Sequence, residues 1–212
     1  MTPAHLYLPN TASTTRRPHT RLLRQPMVRR HAEPNHPDTA LAVVSIDGRV
    51  LHANAAAAVV FRLDSGLSLI DGRLHAPEMN TALRVALAAA SGLLGQAHAS
   101  SLRLQRQGHG WRLLCLPMPP AWTDKVFSIS RTALLLMVGD HAPPASAIWR
   151  QVYGFTTEDC RLANWLLHED GHYAGQFDWL RNSLGRLLQK TGTENTDNLL
   201  NILRVSSGRH ST

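Results

Sequence analysis

The residues whose spacing best suits chemistry lie between 168 and 178. His168-Glu169-Asp170-Gly171-His172, followed by Gly175 and Asp178, fits the pattern HExxHxxGxxD. Histidines four apart on a helix share one face. There they can hold zinc, with Glu169 as general base and Asp178 as a third ligand. Hydrolysis by this route needs a continuous helix, and Asp170-Gly171 weakens one. It also needs a methionine turn downstream, whereas the methionines are 1, 27, 79, 118 and 137, all upstream. The expectation is a solvated, histidine-rich loop with no metal and no catalytic residue. A zinc hydrolase built on His168-Glu169-x-x-His172 is the remote alternative.

Composition bounds what can position such residues. With 212 residues, 43% hydrophobic and 17% charged, the chain suits one moderate domain or two small ones. No apolar run approaches the roughly 18 residues of a membrane span. Cys115 and Cys160 are too few for a disulfide framework, which fits a reducing cytoplasm, and both read as small buried apolar residues. The net charge of +7 suggests an anionic partner until it is mapped. Residues 1–37 hold six arginines against Glu33, residues 38–150 ten basic against seven acidic, and residues 151–212 six against seven. The surplus therefore lies mainly in 1–37, a basic segment expected to be a disordered tail.

Leu41 to Ile46 and Arg49 to Ala53 flank Asp47-Gly48 and read as a hairpin, and Asn54 suits the cap of the alanine-rich helix that follows. Asp71-Gly72 divides a second pair of short extended runs within Gly66 to Ala76. Leu83, Ala86, Leu87 and Ala90 give Pro77 to Ala90 a helical period. Ser101 to Arg106 and Trp111 to Pro117 face each other across Gln107-Gly108-His109-Gly110, and Thr132 to Val138 reads as a last strand. The pattern predicts an α+β domain over 38–140 with a mainly antiparallel sheet. Trp111 reads as a packing anchor, and His52, His75 and His109 as surface residues. His141 to Ala147 has linker composition, and the rest reads as helix, with a module over 148–205 and a tail over 206–212. Thr156 with Asp159 forms a capping-box pattern, Gly192 suits a C-terminal cap, and leucine stripes mark three helices.

Tyr153-Gly154-Phe155-Thr156-Thr157-Glu158-Asp159-Cys160-Arg161-Leu162-Ala163 resembles the opening of a LuxR-type helix-turn-helix domain. Leu180-Arg181-Asn182-Ser183-Leu184-Gly185-Arg186-Leu187-Leu188-Gln189-Lys190-Thr191-Gly192, with Leu199-Leu200 and Ile202-Leu203, resembles its recognition and closing helices. The hairpin ending in Asn54-Ala55-Ala56, the segment Gly66 to Ala76, Trp111 to Leu114 and Ala133 to Asp140 resemble the PAS-like half of certain bacterial regulators. The resemblance implies a PAS-like antiparallel sheet with helices, followed by a small helix-turn-helix module. It also implies a cytoplasmic transcriptional regulator, not an enzyme, that binds double-stranded DNA as a homodimer and has no part in a membrane.

By motif position Arg181, Asn182 and Gly185 would face bases, Arg181 reading guanine and Asn182 adenine, with Arg186 and Lys190 near the DNA backbone. Gly185 offers no contact and weakens the helix by about 1 kcal/mol relative to alanine. Leu166 to Arg181 spans 15 positions, against about 21 in the family, which removes most of the helix that braces the recognition helix. The alternative is an interaction or dimerisation protein of the same ancestry that does not bind DNA. No cofactor signature is present, and the sequence does not specify a small-molecule ligand for the PAS-like half.

Overall fold

A computed structural model describes residues 39–63, 66–106, 109–123, 132–139, 143–168 and 178–208. The expected tail over 1–37 lies outside them. The described residues form one compact unit. Its elements are β1 (Ala40–Ser45), β2 (Val50–Ala53), α1 (Ala55–Val60), β3 (Ser68–Ile70), β4 (Arg73–His75), α2 (Asn80–Ala90) and β5 (Ser100–Arg106). Then follow β6 (His109–Pro117), α3 (Pro120–Thr123), β7 (Thr132–Val138), α4 (Ala145–Tyr153), α5 (Thr157–His168), α6 (Asp178–Thr191) and α7 (Thr196–Ser207). Helix α4 thus begins inside the expected linker over 141–147, and α7 runs two residues into the expected tail over 206–212.

The fold is α+β. Five strands form an antiparallel sheet in the order β2-β1-β7-β6-β5, and β3 pairs with β4 in a separate hairpin. Gly48, at φ +82°, makes the turn between β1 and β2. Asn54 closes the far end of that hairpin. Its Oδ1 accepts from Ala57 N at 2.8 Å as the cap of α1 and from Leu41 N at 3.1 Å, while Nδ2 donates to the Thr39 carbonyl at 3.0 Å. One short side chain therefore caps the helix and ties its start to β1.

Both faces of the sheet are covered, which explains why β7 reads as an unbroken apolar run. Ala133, Leu135 and Met137 join α1, α2 and the 66–76 region in one core cluster. Leu134, Leu136 and Val138 join Leu41, Val43, Leu114, Leu116 and the buried faces of α4 to α7 in the other. Residues on either side of 141–147 therefore share a core. Trp111 lies with its ring about 3.5 Å from where a Cβ on Gly139 would stand, a packing position. Both Cys115 and Cys160 are buried and free, and burial pushes the Cys115 thiol up to about 12. His52 and His75 are half-buried, and burial pulls the His52 pKa down.

Candidate nucleic-acid interface

Gly154, at φ +63°, ends α4 in a left-handed cap, and the chain turns directly into α5. The predicted capping box forms there. Thr156 N donates to Asp159 Oδ2 at 2.9 Å, and Asp159 N donates to Thr156 Oγ1 at 3.2 Å. Two otherwise unpaired donors at the start of α5 are satisfied reciprocally. Along α5, Cys160, Leu162, Ala163, Leu166 and Leu167 are buried. Along α6, Leu180 and Leu187 are buried, with Leu184 and Leu188 packed against the same core. Gly192, at φ +70°, stops α6, and Asn195 caps α7 by accepting from Asn198 N at 2.9 Å.

Asp159 also joins α5 to α6. It is fully buried, and two cations of α6 reach it: Arg186 Nε at 2.8 Å from Oδ1 and Lys190 Nζ at 2.7 Å from Oδ2. Lys190 donates as well to the Gly154 carbonyl at 2.9 Å. Burial pushes the Asp159 carboxyl up, but the hydrogen bonds from Lys190, Thr156 and Arg186 outweigh it and hold the group at about 2. Both carboxylate oxygens then have protein partners. Arg186 and Lys190, assigned by resemblance to the DNA backbone, are engaged inside the protein. Sequence reading found Asp159 only as a capping residue, because its cations stand 27 and 31 positions away.

Arg181 and Asn182 lie elsewhere on α6. Both are exposed, as are Gly185 and Gln189, whereas Leu180, Leu187 and Thr191 are buried. Spacings of one, four and eight positions put these exposed residues on a single polar face. A Cβ on Gly185 would meet nothing within 4 Å, so the face has an open notch at its middle. The structure thus groups Arg181 with Asn182 on the outside and Arg186 with Lys190 at the join to α5.

Three amides fix α7 against the sheet side. Gln96 Oε1 accepts from Asn195 Nδ2 at 3.1 Å and Asn198 Nδ2 at 2.7 Å, and Ala99 N donates to Asn201 Oδ1 at 2.7 Å. Trp149 Nε1 donates to Ser206 Oγ at 2.6 Å, tying α4 to the end of the same helix.

The zinc pattern falls mostly outside the described residues. His168 is exposed at the end of α5, its Nδ1 2.7 Å from the Asn164 carbonyl oxygen, while 169–177 are not described. Among the described residues no three His, Cys, Asp or Glu side chains are grouped so as to hold a metal ion. No helix among them is long and apolar enough to cross a membrane. No family model, no curated protein and no solved structure matches this chain.

Proposed function

We propose that the protein is a DNA-binding transcriptional regulator in which α6 reads the major groove and the α+β half serves as a PAS-like sensor or dimerisation part. The observation that carries this reading is the outer face of α6. Arg181 and Asn182 stand exposed and adjacent on a helix whose opposite face is buried. Arginine and asparagine are the side chains that pair bidentately with guanine and adenine edges. The ties from Arg186 and Lys190 to Asp159 give this face a rigid base, and ordered side chains lose less entropy on binding. An open cleft of about 360 Å³ beside α2, lined by residues 66, 76–79 and 103–104, agrees with a sensing role for the sheet half.

A second reading, an interaction protein that does not bind DNA, is favoured by the same ion pairs. Two of the few cations in 151–212 are tied to one internal carboxylate, and that segment has six basic residues against seven acidic. Little charge is then left for counterion release.

Salt titration of duplex binding separates the two readings. The wild type should bind at low salt with an affinity that falls as salt rises, and Arg181→Ala with Asn182→Ala should weaken it about tenfold or more while leaving the fold intact. Binding that survives this pair of substitutions but vanishes on removal of 1–37 would refute α6 as the reader. No detectable binding at low salt would favour the interaction protein.

A further inference from the structure

Arg103 of β5 stands directly opposite Arg112 of β6, at the edge of the sheet. Like charges facing each other across antiparallel strands destabilise the pair. The ion pairs among the described residues join other groups and leave both arginines out. Glu78 borders the same cleft as Arg103 without pairing with it. Arg112 is half-buried, and burial first, then Arg103, pull its pKa below the ordinary value.

Strand alternation puts Arg112 on the same face as Leu114 and Leu116, the face covered by the helices. Its guanidinium lies against Gly208, the left-handed cap of α7, so closely that a Cβ there would collide with it. Gly208 lies on the same stripe of α7 as Asn201. Asn201 accepts from Ala99 N just before β5, so this stripe faces the β5 edge. The carbonyl end of α7 offsets about half a unit charge. Two opposed guanidiniums at one corner leave a much larger surplus.

We propose that Arg103 and Arg112 form a phosphate-binding site at the β5 edge, whose ligand is a phosphate monoester or inorganic phosphate. Guanidinium forks match phosphate oxygens bidentately. A dianion neutralises the opposed pair, whereas a monocarboxylate or a single phosphodiester would leave one charge over. No residue of this site belongs to α6, so its failure would leave the DNA-reading proposal untouched.

The test compares thermal unfolding in phosphate and in chloride at matched ionic strength. Phosphate should raise the midpoint of the wild type by about 3 °C or more beyond its effect on Arg103→Gln. In chloride, Arg103→Gln should unfold about 1–3 °C higher than the wild type, because the like-charge contact is gone. Equal phosphate effects on the two proteins would reflect general salting and overturn the site. A variant less stable than the wild type in chloride would overturn it too, by making Arg103 a structural cation. The third arm adds a blunt duplex without terminal phosphates. Failure of the duplex to displace phosphate supports a phosphate monoester or inorganic phosphate as ligand, and displacement would overturn that assignment in favour of the nucleic-acid backbone.

Discussion

Asp159 is a carboxylate with no exposed surface, held by two cations that remain partly wet. The Arg186 and Lys190 side chains keep 44% and 27% of their exposure. Removing the acid would therefore leave cations that water can solvate, so the cost falls below that of stranding a buried charge. Asp159→Asn should destabilise the protein by about 2–3 kcal/mol at neutral pH, seen as a lower denaturant midpoint at unchanged slope. The effect has a pH signature. The folded carboxyl titrates at about 2 and an ordinary one at 3.8, so the stabilisation is complete above roughly pH 5 and is lost as pH falls through about 2. The gap between wild type and variant should close between pH 5 and pH 2. A gap that stays constant over that window would mean the carboxylate charge contributes nothing, leaving only the shape of the capping box.

Two glycines in and after α6 should respond in opposite directions to the same substitution. Gly185 sits within the helix with open space around it, so Gly185→Ala should raise stability by about 0.5–1 kcal/mol, or about 2 °C. Gly192 has φ +70°, and a Cβ there would stand 2.9 Å from the ring carbons of Pro120. Gly192→Ala should cost more than about 1 kcal/mol. Melting curves of the two variants decide it, and equal signs would contradict the helix end described at Gly192. The sequence announced these features unevenly. Gly192 after a leucine stripe, Asn54 before an alanine run, and Asp47-Gly48 between apolar runs are local signals, and each element formed where its signal stood. Helix α4 begins inside a segment of linker composition, with Pro144 standing just before its first turn. The Asp159 node and the Arg103–Arg112 pair join residues far apart or on separate strands. Neither is visible until the strands pair and the helices pack.

The two core clusters make the sheet a shared wall. If α4 to α7 were absent, Leu41, Val43, Leu114, Leu116, Leu134, Leu136 and Val138 would all face water. An apolar patch of that extent is not sustained on a soluble surface. Sheet and helices should therefore unfold together, with calorimetric and van't Hoff enthalpies in agreement. Trp149 is the residue with which to probe this coupling. It is fully buried, lies in the cluster shared by sheet and helices, and donates to Ser206 at 2.6 Å. Trp149→Ala should cost about 3–5 kcal/mol through the cavity and the lost hydrogen-bond donor. The whole transition should move downward as one, since the wall supports both halves. A variant trace that splits, with the helices melting first and the sheet at its original temperature, would show that the halves are independently stable. A signal at the cleft beside α2 would then have no packed route to α6.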